Sequence, residues 1–208
     1  MQDSRNKHRK VNRIGVTPPA VSLNQTESER LVERAAGGDS EAFGELYSTY
    51  LDRIYRYVFY QVKDKTTAED ITEDVFIKAW KAISTCKGKA QTFSPWLFRI
   101  AHNNIIDIYR RKQKELSLET AIEIETVADN DNGDGRLPVE KKQEQQQLMS
   151  TIACLPPNQR QVIILKFIEG LDNREIGQVM HKNQGAIRVL QMRALATLRQ
   201  KVQKETYR

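Results

Sequence analysis

The segment from Asn173 onward constrains this chain most. It reads NREIGQVM, then HKNQ, then GAIRVLQMRALATLRQKV, so two helical patterns flank a short polar break, the sequence form of a helix-turn-helix. Ile176, Val179 and Met180 give the first pattern its buried face. Gly185, Ala186, Ile187, Leu190, Ala194, Leu195 and Leu198 recur at three- and four-residue steps and give the second its own. Gln184, Arg188, Gln191, Met192, Arg193 and Arg199 are left to face outward. Such a surface suits the major groove of duplex DNA, where Arg reads guanine edges, Gln reads adenine edges and further Arg holds phosphate. Taken alone, the pattern also fits an ordinary amphipathic surface helix with solvated arginines.

Charge agrees with a nucleic-acid partner, since 208 residues carry a formal net charge of +6. No stretch reaches the apolar length of a membrane span, and the cations of MQDSRNKHRKVNRIG are followed by no apolar run, so a cytosolic protein is expected. Cys86 and Cys154 stand in unrelated contexts, which supports neither a disulfide framework nor a thiolate metal site. His102 and Asp107 lie on different helical faces with no third ligand or nucleophile near them. Neither catalysis nor a cofactor is expected.

The remaining pattern is helical throughout, and no useful strand-period segment interrupts it. Residues 1–26 form a basic tail without periodicity. Residues 27–112 read as one helical domain. Its first long pattern, AFGELYSTYLDRIYRYVFYQV, places Phe43, Leu46, Tyr47, Tyr50, Ile54, Tyr57 and Val58 on one stripe, and the next buries Ile71, Val75, Phe76, Ala79 and Trp80. A loop, STCKGKAQTFS, follows, and Pro95 is expected to open the next helix, with Trp96, Leu97, Ile100, Ala101, Ile105 and Ile108 inward. Residues 113–145, with Glu119, Glu123, Glu125, Asp129, Asp131 and Asp134, read as a flexible acidic linker. Residues 146–206 hold short helices broken at Pro156 and Pro157 and at Gly170, and end in the helix-turn-helix. The fold class is all-α, two helical domains joined by an acidic tether.

The segments AEDITEDVFIKAWKAI, TFSPWLFRIAHNNIIDIYRRK and LPPNQRQVIILKFIEGLDNREIGQVMHKNQGAIRVLQMRALATLR, in this order and with this connecting length, resemble a bacterial sigma factor of the sigma-70 class. The layout without extra domains is similar to the extracytoplasmic-function group. The resemblance implies a promoter-specificity subunit and not an enzyme. Its partners would be core RNA polymerase, promoter DNA and, commonly in the group, an anti-sigma factor. Residues 27–112 would correspond to sigma region 2 and residues 146–206 to region 4.

The resemblance also distributes roles. Asp70, Glu73 and Asp74 would dock on the coiled-coil clamp helices of polymerase, an acidic face meeting a basic helical partner, whereas Phe76 and Trp80 on the same helix are expected to be core. Lys87, Lys89 and Phe93 of the loop, with Asn103, Asp107, Arg110 and Arg111 of the next helix, would read the start-proximal promoter element, where melting requires unstacked bases to be held. Asn183, Gln184, Arg188, Val189, Met192 and Arg193 would contact the distal element. The linker would follow the family's acidic connector through the polymerase cleft. The turn departs from the family's usual pattern at His181, commonly Gly, and at Lys182, commonly apolar. The competing readings are a free-standing helix-turn-helix regulator, which would ordinarily dimerise on two half-sites, and a nucleic-acid-processing enzyme, for which the chain offers no acidic metal cluster.

Overall fold

A computed structural model describes residues 25–86, 90–118 and 150–206, and every regular element among them is helical. Helix α1 (Gln25–Ala36) turns at Gly38, whose φ of 96° is open to glycine at little cost, into α2 (Ser40–Val62). Asp39 starts α2 by accepting from Glu41 N–H and Ala42 N–H at 3.0 and 3.1 Å. Lys63, left-handed at φ 59°, ends it. Asp64 in turn caps α3 (Lys65–Ala82) through Thr67 N–H at 2.7 Å.

A short 3-10 turn (Ile83–Thr85) leads toward α4 (Ala90–Leu118). After a helical stretch at 150–153 come α5 (Pro157–Ile163), a π-helical turn (Ile164–Ile168), α6 (Asn173–Met180) and α7 (Gln184–Thr206). Residues 1–24 of the expected basic tail and most of the acidic linker lie outside the described residues, and Gln25 and Thr26 belong to α1.

Helices α1 to α4 close around Leu46, Ile54, Tyr57, Ile71, Leu97 and Phe98, all at most 1% exposed. Each such burial is worth about 1.5–3 kcal/mol. Aromatic edges interlock across the layers, with Tyr57 against Phe98 and Tyr50 against Phe93, both at 5.3 Å between ring centres. Helices α5 to α7 have a smaller core of Ile164, Leu165, Ile176, Val179 and Ile187.

Four expectations are corrected. Helix α4 begins at Ala90, so Pro95 lies inside it rather than at its start, and the helix gives up the one bond that a residue there would have donated to Gln91. It also runs on to Leu118, past the point where the sequence pattern ends it. Trp80, expected in the core, is half-exposed, with the Phe43 ring 4.9 Å away; Tyr47 lies at the core edge, 4.7 Å from Phe76. Gly185 and Leu195, assigned to the inner face of α7, are exposed, Leu195 by 45%, because Ile187 and Ala194 fill the contact.

The two helical units also pack on each other, which local periodicity does not announce. Helix α6 lies against α4, and the π-helical turn lies against α2. Along this seam Gln161 donates to Tyr57 Oη at 2.5 Å and meets His102 Nδ1, while Arg53 and Arg56 converge on Glu169.

Candidate nucleic-acid interface

The geometry of the helix-turn-helix is set residue by residue. Asp172 accepts from Arg174 N–H and Glu175 N–H at 2.7 and 2.8 Å, and Glu175 returns a bond to Asp172 N–H at 2.7 Å, a reciprocal capping box that fixes where α6 begins. His181 ends α6 in the left-handed region, φ 53° and ψ 43°, where glycine would be unstrained. Lys182 N–H then bonds Gly177 O at 3.0 Å. This turn sits so close to α6 that a Cβ on Gly177 would lie 2.6 Å from the Lys182 carbonyl oxygen, so only glycine fits there as the backbone stands. Asn183 caps α7 through Ala186 N–H at 2.8 Å, which commits its side-chain oxygen to the helix.

Ile187 and Ala194, both fully buried, orient α7. Its outer surface includes Gln184, Gly185, Arg188, Val189, Met192 and Arg193, followed by Ala196 and Arg199, all exposed. Among the described residues none of the guanidinium groups of Arg188, Arg193 and Arg199 has an ion pair or hydrogen bond. A cation without a carboxylate neighbour is free to neutralise a phosphate, and release of condensed counterions then favours binding.

On α3, Asp70, Glu73 and Asp74 are exposed on one face, next to Ile77 and Trp80, which are 51% and 39% exposed. On α4, Asn103, Asp107, Arg110 and Arg111 are exposed and follow one another at helical steps on one side. Asn104 turns the other way, is buried and accepts from Lys78 Nζ, tying α4 to α3 beneath that surface. Lys87 and Lys89 lie outside the described residues. Phe93 does not join the loop surface assigned to it: it is a helical residue of α4, 1% exposed, clasped by Tyr50 and by Trp96 at 5.7 Å. Hydrophobic burial outweighs its use as a stacking platform in this arrangement.

The seam between the two units was not visible in the sequence. Glu169 has no exposed side-chain surface and takes bonds from Arg53 Nε at 3.2 Å and Arg56 Nε at 3.0 Å, while the other arm of Arg53 reaches the Glu169 carbonyl at 2.9 Å. The Arg53 guanidinium also lies over the Tyr50 and Phe98 rings at 5.3 and 5.4 Å. Burial, with His181 and Lys182 nearby, pushes His102 down to about 4. A neutral ring suits its place, because Gln161 Nε2 can donate only to an unprotonated Nδ1. Among the described residues no group of His, Cys, Asp and Glu is arranged to hold a metal ion, and no helix is long and apolar enough to cross a membrane.

Two family models match this chain, sigma-70 region 2 over residues 46–115 and sigma-70 region 4 over residues 145–198. The chain is 36% identical to the ECF RNA polymerase sigma factor BldN of Streptomyces coelicolor over 183 residues, 86% of this chain and 67% of that one. It is 32% identical to the ECF RNA polymerase sigma factor SigX of Bacillus subtilis, over 76% of this chain and 82% of that one. The fold is similar to that of CnrH in complex with the cytosolic domain of CnrY, with a TM-score of 0.64 at 23% identity over 86% of this chain and 98% of that one. It is similar as well to the sigma factor RpoE in complex with the anti-sigma factor NepR from Bartonella quintana, TM-score 0.64 at 22% identity over 77% and 96%.

Proposed function

This chain belongs to the extracytoplasmic-function group of the sigma-70 family, and from that premise we propose how its surfaces divide the work of a sigma factor. It binds core RNA polymerase and directs promoter recognition, DNA opening and the start of transcription. Such factors are not in general catalytic, so its chemistry is recognition. The chain works in the cytoplasm, where polymerase and promoter are found.

The unit ending in α4, residues 27–112, offers Asp70, Glu73 and Asp74 to a basic coiled coil of polymerase. Exposed carboxylates next to the half-exposed Ile77 and Trp80 combine electrostatic steering with an apolar anchor. The other side of that unit, with Asn103, Asp107, Arg110 and Arg111, takes the start-proximal element. An Asn amide both donates and accepts, so it can replace the lost Watson–Crick partner of an unstacked base, and the arginines hold the backbone. The unit over residues 146–206 places α7 in the major groove of the distal element, with Gln184, Arg188, Val189, Met192 and Arg193 toward the bases and Asn183 holding the helix start. Residues 113–145 connect the two. An anti-sigma factor is a further partner, in keeping with the NepR complex of the RpoE neighbour.

The observation that carries this reading is the pairing, in one chain, of a free acidic face on α3 with free arginines on α7. A self-sufficient DNA binder needs only the second. The test is a gel-shift and run-off transcription series on a genomic promoter pool, with the chain alone and with core polymerase added. Specific shift and transcripts only in the presence of core polymerase are expected. A specific shift by the chain alone, without transcripts when core polymerase is present, would assign it to the free-standing regulators.

A further inference from the structure

The outward ridge of α7 is not its most cationic line. Gly185, Val189, Met192 and Ala196 follow one another at steps of four, three and four residues, so they lie on one line along the side opposite Ile187 and Ala194. Val189 is 42% exposed and Met192 is 64% exposed. Arg188 and Arg199 run along one flank of this ridge and Arg193 along the other. An apolar ridge bounded on both sides by unpaired cations is a poor match for an apolar protein groove, which would have to take the arginines in unpaired. It matches the major groove of DNA, where phosphates line both walls and the one apolar feature of the floor is the thymine C5-methyl group.

We infer that Val189 and Met192 read thymine in the distal promoter element by van der Waals contact with its methyl group, independently of the contacts the flanking arginines make. This inference rests on the assignment of α7 to that element. Three residues along a helix advance about 4.5 Å, close to the roughly 3.4 Å rise of a base step. The two side chains therefore meet methyl groups on the same or neighbouring steps. Gly185 contributes at the entry: a Cβ there would meet only Asn183 Oδ1, at 3.4 Å, and its absence lets the backbone approach the bases. Neither Val nor Met can donate to a base edge or a phosphate, so hydrogen-bond readout does not explain their exposed places on this ridge.

The test uses the full chain loaded on core polymerase. Promoters are selected from a randomised pool, the protected distal element is mapped by footprinting, and each thymine in it is replaced singly by deoxyuridine, which removes the methyl group and nothing else. Loss of one methyl contact corresponds to about a fourfold loss of affinity. The expected result is such a loss at one or two positions, abolished in Val189→Ala or Met192→Ala but retained in Arg188→Ala.

A selected element with no thymine, or wild-type indifference to uracil at every position while the footprint persists, overturns the thymine inference and leaves the assignment of α7 intact. Absence of any footprint over a distal element overturns the assignment itself. If Val189→Ala instead converts a dimer to a monomer in sedimentation, or releases core polymerase in a pull-down, the ridge is a protein contact and the inference falls.

Discussion

The Glu169 carboxylate, with no exposed side-chain surface, is met by Arg56 Nε at 3.0 Å across the seam between α2 and the end of the π-helical turn. Glu169 N–H bonds Ile164 O at 3.0 Å, a five-residue step. Gly170, at φ 75°, then reverses the chain so that Leu171 N–H can reach Leu165 O at 2.9 Å. The wide turn and the glycine together hold Glu169 on α2 instead of in solvent. Removing one side of a buried ion pair costs about 3–5 kcal/mol, because the other is left uncompensated. Arg53→Ala with Arg56→Ala should therefore separate the two units or destabilise their packing by an amount approaching that range. Energy transfer between dyes on α3 and α7, with a denaturant titration alongside, measures both. Unchanged transfer efficiency and an unchanged midpoint would show that the seam does not depend on this pair.

His102 gives the same seam a pH dependence. Its folded value of about 4 lies below the ordinary 6.5, so between them the unfolded or opened chain binds more protons than the closed one. The closed arrangement is fully favoured above about 6.5 and loses stability as pH falls toward 4, by up to about 3 kcal/mol before solvent screening is discounted. Asp and Glu residues titrate over the lower half of that window, so the comparison must be made against a variant. His102→Gln keeps a hydrogen-bonding side chain toward Gln161 and cannot titrate. The difference in dye-pair transfer between wild type and this variant should grow from pH 7 to pH 5, and parallel curves would remove His102 as the cause.

Gly177→Ala tests the turn. A Cβ 2.6 Å from the Lys182 carbonyl oxygen meets backbone, which cannot swing aside as a flexible side chain would. Overpacking of this kind costs about 1–3 kcal/mol. The variant should melt earlier and bind distal-element DNA less well, with the helix content of α1 to α4 unchanged by circular dichroism. A melting temperature equal to wild type would show that the turn relaxes freely.

These sites differ in how far the sequence exposes them. The helix-turn-helix was legible because its signals are local: the apolar steps of Ile176, Val179 and Ile187 fall within a few turns of one another. Glu169 beside Gly170 looks like an ordinary charged helix end, and its burial depends on Arg53 and Arg56, more than a hundred positions earlier. Tyr47 and Trp80 sit on apolar stripes yet remain half-exposed, since a stripe records which side faces a neighbour and not how wide that neighbour is. Phe93 went astray by the reverse route. Pro95 reads as a helix start, but the helix begins a turn earlier and takes Phe93 into the core.

Docking on polymerase should depend on the acidic face of α3. Asp70→Lys, Glu73→Lys and Asp74→Lys together reverse exposed charges without touching the core beneath. Attraction to a basic partner becomes repulsion, so core-polymerase affinity should fall steeply, and more at low salt, where the Debye length is longer. Fluorescence titration at low and moderate ionic strength gives the measurement. Wild-type affinity at both would remove this face from the polymerase contact.

The arginines of α7 should divide by position. Arg188 lies one residue after the buried Ile187, in the first turns, where the start of such a helix enters the groove, and Arg199 lies three turns later. Base contacts specify, whereas phosphate contacts position. Although the apolar ridge carries the thymine readout, Arg188 is near enough to the entry to reach a neighbouring guanine edge. Arg188→Ala should cost about 1–3 kcal/mol and relax preference at one or two promoter positions, while Arg199→Ala should weaken all sequences alike and lower the salt slope by at most about one. The measurement is a binding series of the polymerase-bound chain over single-base promoter variants at two salt concentrations. A base-preference profile unchanged by Arg188→Ala, together with a reduced salt slope, would move Arg188 to the phosphates and leave the apolar ridge as the part of α7 that reads sequence.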